Sequence, residues 1–501
     1  MLNALAWLEA VLDASGVAPR IEKLLPLGVR ARQLRVHTLL LGMALSQADG
    51  RAAHLTRVHR ALVELPRHQR RALGVEVATK IGWHLLTYRQ VERTFNLVVA
   101  ALSKETPDGE PSWLLCDVLD ALMEASVPSD VTARTRDLAV DWSDHETFSC
   151  PPSHPGGDCA DPEASWGRRK CDQPGRKDEL FFGYELQAAT MVNEEGGSPV
   201  PELVRRILIT SCAIDPPAAF VAVLARMVKS GVTLGDVLAD AGYAHRVAEH
   251  WALPVRRLGA KIVTDLHPQD RGPRGTHGGA VIANGNLYCP STPPALLALG
   301  PLARNAIAHE VAAHDVASAE LARYKLARRS ADDADGFHRV SCPAVTGKVR
   351  CPLRESSMAL PLTRPEVSSA PEHRPACCAQ QTLTVPVHVA AKTTQKHDYP
   401  SRNHRLSYAR RTAVERTFST TKDRASNDMT RGWCRVMGVT AISLFAVTCF
   451  IVRNKRILDS FELRTIEEER RRVAGRAPQT RRRRRKTLDD LVTTGSPDSL
   501  L

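Results

Sequence analysis

A short run of residues near the C-terminus carries the most chemical information in this sequence. It has the form Tyr408-x2-Arg411-x3-Glu415-x6-Lys422. At about 100° per residue of α-helix, the four side chains fall on one face, within an arc of roughly 60°. An arginine four residues before a glutamate is also a common solvated ion pair on a helix surface. The run by itself leaves that second interpretation open.

Two aspartates extend the set of acidic residues. Asp141 and Asp240 each end a short apolar stretch that favours a β-strand, over residues 136–141 and 233–240. We place the first acid at Asp141, although Asp144 follows it closely, because Asp141 closes its apolar stretch. Ends of strands are where α/β folds carry catalytic loops, so we expect both aspartates at strand ends within one site.

Three carboxylates, from Asp141, Asp240 and Glu415, offer the hard oxygen ligands that Mg²⁺ or Mn²⁺ prefers. A pair of such ions can activate a water or a 3′-hydroxyl and stabilise the leaving oxygen in phosphoryl transfer. The cations of the run would contact phosphate groups, and its tyrosine would stack on or hydrogen-bond to a nucleotide. The pattern therefore predicts a two-ion site that acts on a nucleic acid.

The elements that must position these residues follow from periodicity and composition. Residues 131–266 favour the order β-β-β-α-β-α-β, which is typical of a mixed α/β sheet. We divide the chain into five predicted segments: a helical, DNA-binding region at 1–130, the first part of the sheet core at 131–266, a β-rich insertion at 267–400, core helices with the glutamate at 401–464, and a basic disordered tail at 465–501.

The overall charge points to a polyanionic partner. The formal net charge is +13 and the pI is near 9.3. Residues 20–80 hold twelve Lys and Arg against four acids, and residues 402–435 hold nine against three. Double-stranded DNA is the partner we expect, although a merely basic surface is the alternative.

Targeting features point to the cytoplasm. The first nine residues lack a basic region and suit an amphipathic helix better than a signal peptide. The twelve cysteines are scattered as in a reduced protein. An uncharged run at 436–452 is seventeen residues long, shorter than the roughly twenty of a membrane span, so we expect a buried helix and no membrane.

These motifs together resemble bacterial insertion-sequence transposases of the DDE type, in the group with the Y-R-E-K signature. Asp141-Trp-Ser143 is similar to the first-aspartate motif, and Asp240-Ala-Gly-Tyr243 to the second. The C-terminal run matches the third motif at four positions, and Phe181-Phe-Gly-Tyr184 resembles the strand after the first aspartate. The resemblance covers roughly residues 130–460 and finds no counterpart in residues 1–130.

The resemblance implies a ribonuclease-H-like core, interrupted by a β-rich insertion before the glutamate helix. It implies metal-dependent cleavage at transposon ends, strand transfer to target DNA, and an oligomer on that DNA. A nucleoid-associated location in the cytoplasm would follow. Two alternatives stay open: a non-catalytic DNA-binding protein derived from the same fold, and a nuclease that performs no strand transfer.

Three further patterns are weaker. His309 and His314 resemble a zinc-protease helix, but five residues rotate about 140° around a helix, which separates the two rings. A zinc site is one interpretation of two groups of cysteines, and small apolar filler is the alternative. The groups are Cys342, Cys351, Cys377 and Cys378, and Cys150, Cys159 and Cys171 with His154. The cationic run Arg481–Lys486 favours a solvated tail with non-specific DNA affinity.

Overall fold

The computed structural model describes residues 2–26, 32–104, 113–154, 156–169, 177–303, 305–367, 371, 373–423 and 426–477. The chain divides into two units, Met1–Asn454 and Lys455–Leu501. The expected class, mixed α/β, is confirmed, because helices surround a sheet that contains both parallel and antiparallel strand pairs. The cationic run at 481–486 lies outside the described residues.

The helices are α1 (Leu2–Ser15), α2 (Val17–Leu24), α3 (Val36–Ala48), α4 (Leu55–Val63), α5 (Arg67–Ala72), α6 (Tyr88–Leu102), α7 (Trp113–Ala125), α8 (Ser129–Thr132), α9 (Pro216–Lys229), α10 (Ala241–Ala244), α11 (Ala252–Arg257), α12 (Pro294–Leu297), α13 (Ala308–Tyr324), α14 (Glu355–Met358), α15 (Ala376–Ala379), α16 (Arg402–Tyr408), α17 (Thr412–Lys422) and α18 (Val439–Val473). Short 3-10 helices cover Pro268–Asp270 and Ala409–Arg411.

The strands are β1 (Glu76–Thr79), β2 (Gly82–Leu85), β3 (Leu138–Glu146), β4 (Ser165–Arg169), β5 (Glu179–Met191), β6 (Val204–Ser211), β7 (Asp236–Ala239), β8 (Lys261–Thr264), β9 (Pro273–His277), β10 (Ala280–Ala283), β11 (Asn286–Tyr288), β12 (Ala327–Arg328), β13 (His338–Ser341) and β14 (Leu383–Val385).

The large sheet has the order β5-β3-β7-β8 at its centre, and both β4 and β6 pair with the outer side of β5. Strands β3, β7 and β8 run parallel, whereas β5 is antiparallel to β3 and to β6. Every residue of β5 from Phe181 to Met191 is buried, as expected for a strand with both faces covered. The order of elements matches the expected one except for an additional strand, β4, between β3 and β5, and for two short helices, α10 and α11, where one was expected.

The N-terminal region differs from the expectation that residues 1–130 are all helical. An antiparallel hairpin, β1–β2, stands between α5 and α6. Its strands are short, and the β2 residues are exposed throughout, which gives the sequence only a weak strand pattern. Trp83 of this hairpin lies under the Arg71 guanidinium, 3.6 Å from ring centroid to Cζ.

The insertion at 267–400 is mixed and not mainly β. It holds two three-stranded sheets, β9–β11 and β12–β14, together with the seventeen-residue helix α13. The pair Asn284-Gly285 in the sequence predicts a hairpin with a type I′ turn, and the antiparallel strands β10 and β11 confirm it. Asn284 and Gly285 both have positive φ, 49° and 82°, as a type I′ turn requires.

The insertion begins just after strand β8, and its C-terminal end is hydrogen-bonded to β8 and to the residue that follows it. The Lys396 N–H donates to the Ile262 carbonyl at 2.9 Å. The Thr264 N–H donates to Gln395 Oε1 at 2.8 Å, across 131 residues of sequence. The Tyr399 hydroxyl donates to Asp265 Oδ1 at 2.8 Å. The chain therefore leaves the core and returns to it at one place.

Helix α18 contains most of the uncharged run at 436–452. Its residues from Thr440 to Asn454 are buried. Inside this segment, the Asn454 side chain pairs with the backbone of Val204 through both Oδ1 and Nδ2, at 2.8 Å each. No helix in the described part of the chain is long and apolar enough to cross a membrane.

Candidate active site on the β3–β7 edge

Asp141 and Asp240 occupy equivalent positions on neighbouring parallel strands. Strand β3 pairs with β7 so that Leu138 lies beside Val237 and Ala139 beside Leu238. Asp141 is three residues after Leu138, and Asp240 is three residues after Val237, so this register places the two aspartates side by side. Neighbouring strands lie about 4.8 Å apart, and equal spacing directs both side chains to the same face.

The two aspartates differ in their local structure. Asp240 follows β7 directly, as expected, and caps α10: its Oδ1 accepts from the Gly242 and Tyr243 N–H groups at 2.9 and 3.2 Å. The expectation that Asp141 ends its strand is wrong. Asp141 is the fourth residue of the nine-residue β3, because pairing with β5 continues through the polar residues to Glu146.

The glycine of the second motif has a packing role. A Cβ atom on Gly242 would lie 2.6 Å from the Trp142 ring and 3.0 Å from Asp240 Oδ1. The Trp142 ring is in turn 4.6 Å from the ring of Tyr243, centroid to centroid. The D-x-G-Y sequence therefore lets a short helix begin against the aromatic residue that follows Asp141.

Glu415 reaches this site through a shared cation. It lies on α17, which packs against β3 and β5. Arg411 donates to Asp141 Oδ2 at 3.0 Å and also pairs with Glu415. The solvated helix pair and the buried contact therefore coexist, since the Arg411 side chain is 13% exposed and the Glu415 side chain 48%.

The helix that carries these residues is interrupted. Helix α16 ends at Tyr408, the 3-10 turn holds Ala409–Arg411, and α17 begins at Thr412. A 3-10 turn advances about 120° per residue instead of 100°, which changes the single face that the spacing predicts. Tyr408 and Arg411 still meet, with the guanidinium 5.6 Å from the ring centroid.

The site holds more negative than positive charge. The pKa of Asp141 is raised to about 7: burial is the main cause, the charges of Asp240 and Glu415 add to it, and Arg411 opposes them. Asp240 Oδ2 has no ion-pair partner among the described residues. Three acids thus share one guanidinium, so Asp141 holds a proton up to near-neutral pH.

Lys422 lies in an adjacent cluster and not beside Asp141. Its Nζ is 2.9 Å from Asp144 Oδ1, and Arg169 binds the other oxygen of that carboxylate. Burial alone would raise the pKa of Asp144, but these two cations hold it below its usual value. The pKa of the neighbouring Glu185 rises to about 7, through burial and then the Asp144 charge. The sequence pattern gave no sign of Arg169 or Glu185.

The donors fit a hard divalent ion, but they do not form a compact set. In the described part of the chain, one trio of His, Cys, Asp or Glu has ligand atoms all within 4.8 Å: His245, His267 and Asp270. That carboxylate already binds Lys392 Nζ, at 2.9 and 2.8 Å. Arg411 stands between Asp141 and Glu415, so ion binding by these acids would require the guanidinium to change partners.

A second pair of aspartates at the other end of the same strands was not anticipated. Asp137 and Asp236 lie four residues before Asp141 and Asp240. Arg410 binds both, at 2.6 Å each, and Lys396 binds Asp236 at 2.6 Å. The repeated spacing D-x3-D in β3 and β7, with two successive arginines, is the signal that could have indicated it.

Neither the pair His309 and His314 nor the cysteines near residue 150 belong to a trio of ligand atoms within 4.8 Å among the described residues. Both ring nitrogens of His314 are engaged, Nε2 with the Gly300 carbonyl at 2.9 Å and Nδ1 with Arg405 at 3.1 Å. In the other group, Cys150 is exposed, Cys159 contacts the Asp161 carbonyl, and Cys171 lies outside the described residues.

Comparisons with known proteins add no further assignment. No protein-family model matches the chain, and no curated protein matches its sequence. Any statement of function therefore depends on the geometry of the site and the spacing of its motifs.

Proposed function

We propose that this protein is a DDE transposase with a ribonuclease-H-like core, which cleaves transposon ends and transfers them to target DNA. Asp141, Asp240 and Glu415 would be the catalytic carboxylates. Tyr408, Arg411 and Lys422 would contact DNA. The working form would be a homo-oligomer on double-stranded DNA, in the cytoplasm and associated with the nucleoid.

The topology of the sheet supports the fold assignment. Three antiparallel strands in succession, β3, β5 and β6, are followed by β7 and β8, which join the other side of β3 in parallel. The resemblance to transposases implies this order, as well as an insertion between the last strand and the glutamate helix. The insertion here lies between β8 and α16–α17.

The register of β3 and β7 is the observation that carries the proposal. It sets Asp141 beside Asp240 although ninety-nine residues separate them, while α17 packs on the same strand and carries Glu415. Like charges on adjacent strands cost stability unless something binds between them. An arrangement that only stabilised the fold would supply a cation for each carboxylate.

The acids would hold Mg²⁺ or Mn²⁺, which can supply an activated nucleophile and stabilise the leaving oxygen. Around them the chain offers phosphate contacts: Arg411 can form two parallel hydrogen bonds to a phosphate, and Lys422 gives a point charge nearby. The exposed Arg71–Trp83 pair on the N-terminal hairpin adds a cation and an aromatic face, which suits contact with a nucleic acid.

The decisive experiment is a gel assay of cleavage and binding on a cognate end with Mg²⁺ or Mn²⁺. Cognate ends are identified as terminal inverted repeats on either side of the gene. Asp141→Asn should abolish cleavage while DNA affinity persists, because neutralising one carboxylate changes charge and little volume. Asp130→Asn is the matched control, since Asp130 is exposed and pairs only with Arg134 among the described residues.

The other outcomes distinguish the alternatives. An Asp141→Asn variant that still cuts would reject these acids as the catalytic set. A wild-type protein that binds a verified end but cuts it with neither metal would favour the non-catalytic DNA-binding protein. The observation that favours this non-catalytic alternative is the contact of Arg411 with two of the acids, Asp141 and Glu415. Cleavage without strand transfer would indicate a nuclease.

A further inference from the structure

Five cysteines of the insertion come together from separate segments of the chain. Cys289 follows β11, Cys342 follows β13, Cys351 lies in the next loop, and Cys377 and Cys378 belong to α15. All are free thiols, and none is more than 5% exposed. The sequence had indicated four of them, whereas Cys289 lies fifty-three residues before the nearest of the others and was missed.

Three of these cysteines share one local structure. Each of Cys289, Cys342 and Cys351 is followed by proline. In each case the N–H group two residues further on donates to the sulfur: that of Ser291, Ala344 and Leu353, respectively. Cys342 also receives the Val345 N–H. The pKa of each thiol is raised, by burial for Cys289 and Cys351 and by the Cys378 contact and burial for Cys342; the backbone donors oppose this rise and favour the thiolate, which is the form that binds metal.

The sulfurs approach one another without closing a cage. Cys377 Sγ and Cys378 Sγ are 3.8 Å apart, and Cys342 hydrogen-bonds to Cys378. Cys289 is close enough to Cys342 and Cys351 for their charges to act on its thiol. Among the described residues, no three of these sulfurs lie mutually within 4.8 Å. Four thiolates around one ion would be closer, so an ion would draw this set inward.

We propose that the insertion binds one Zn²⁺ through Cys289, Cys342, Cys351 and one member of the pair Cys377–Cys378. Four thiolates form the donor set of a closed structural zinc site, at about 2.3 Å from metal to sulfur. Two cations, Arg354 and Arg374, are near enough to Cys351 to act on its charge. They would offset the negative charge of a zinc ion with four thiolates.

The packing of the insertion gives such a site a structural role. Its buried apolar residues form two small clusters, one with Cys289, Cys342 and Cys351 and the other with Cys377 and Cys378. Small cores of this kind contribute little stability without a cross-link. Zinc would join the two clusters. This proposal does not depend on the proposed transposase activity, because none of its ligands belongs to the acidic site.

The first test uses the full-length wild-type protein, purified without chelators, and measures its metal by mass spectrometry. We expect one zinc per chain. Replacement with Co²⁺ should give the intense charge-transfer absorption of thiolate ligands. Iron in place of zinc would change the metal but keep the site. Protein without stoichiometric metal, which also takes up neither Zn²⁺ nor Co²⁺, would overturn the proposal.

Variants identify the ligands. Cys342→Ser should lower bound zinc to under about a tenth of an equivalent, since loss of one thiolate opens the site. Cys434→Ser is the matched control, because Cys434 is equally buried but lies outside the insertion. Unchanged zinc in Cys342→Ser would reject the assignment.

A second measurement covers variants that fail to fold. Wild-type protein is alkylated with iodoacetamide before and after a chelator, and the modified residues are identified by mass spectrometry. Chelation should expose Cys289, Cys342, Cys351 and one of Cys377 and Cys378, while Cys434 stays unmodified. An alkylation pattern that the chelator does not change would contradict the site.

Discussion

The two ends of the strand pair β3–β7 carry the same residues and differ in how their charge is balanced. At one end, Asp137 and Asp236 are at most 5% exposed and bind two cations, Arg410 and Lys396. At the other end, Asp141, Asp240 and Glu415 share a single cation, Arg411, which directly follows Arg410 in the sequence. Identical spacing of identical acids therefore gives a balanced end, where each aspartate binds a cation, and an unbalanced end, where Asp240 has no ion-pair partner among the described residues.

This difference separates a structural role from a functional one. A buried acid pair with matching cations is self-sufficient, and its hydrogen bonds, such as Asp236 N–H to Asp137 Oδ1 at 2.7 Å, hold the strands in register. An acid pair with too few cationic partners attracts cations from solution. The hydrogen bonds at the balanced end hold the register of β3 and β7, and this register places Asp141 beside Asp240 at the unbalanced end.

The largest expected effect is on catalysis, at the unbalanced end. Asp240→Asn should reduce cleavage of a cognate end by at least about a thousandfold, because the metal would lose a charged ligand. Its N-cap hydrogen bonds can survive, since an asparagine oxygen also accepts them. The measurement is a single-turnover cleavage assay beside circular dichroism. A folded variant with more than a tenth of wild-type activity would remove Asp240 from the site.

The second effect is on stability and compares two successive residues. Arg410→Gln should lower the free energy of unfolding by about 3–5 kcal/mol, since it leaves two buried carboxylates short of a partner. Arg411→Gln should cost about 1 kcal/mol or less, because Asp141 can take a proton and Glu415 is half exposed. Urea unfolding of both variants measures the difference. Equal losses would mean that the two ends are not distinct.

The third effect concerns pH in the absence of divalent ions. The pKa of Asp141 is about 7 in the fold against 3.8 when unperturbed. Its contribution to stability is therefore fully present below pH 3.8 and is lost as pH rises through 7. Asp141→Asn should gain stability relative to wild type between pH 4 and 7. Glu185, which also titrates near 7, is present in both proteins. Parallel curves would contradict the assignment.

The smallest effect concerns DNA contact by Lys422. Lys422→Ala should weaken binding to all sequences alike and reduce the slope of log affinity against log salt by about 1. Lys455→Ala, which removes a half-buried lysine paired with Asp459, is the control. A salt slope equal to that of wild type would leave Lys422 as the structural partner of Asp144 alone.

The sequence predicted the elements better than their ends. The strands β5 and β6, the helix α9 and the β10–β11 turn lie where periodicity and Asn284-Gly285 place them. The end of β3 was not predictable from hydropathy, because its polar half, up to Glu146, is held by pairing with β5. The exposed β1–β2 hairpin was not predicted for the same reason: strand pairing is a tertiary property that a local sequence pattern does not contain.

The site was predictable in its acids and in Arg411, and not in the surroundings of Lys422. Motif spacing indicated Asp141, Asp240, Glu415 and Arg411, and strand register and the α17 contact bring them to one edge. The sequence could not show that Lys422 pairs with Asp144, because this contact depends on how helix α17 packs against strand β3. Charge balance between distant segments depends on packing, and a sequence pattern does not give it.

The closure of the insertion at β8 has a consequence for how this protein could change over generations. The hydrogen bonds of Gln395 and Lys396 to β8 bring the chain back to the core beside the strand from which the insertion, residues 267–394, departs. Lengthening the loops of that segment would leave β3, β7 and β8 in place, since loop length itself adds little to the cost of folding, provided that the contacts of Arg405 with His314 and Asp315 are kept. New recognition surfaces could be grafted there while the acidic edge stays as it is.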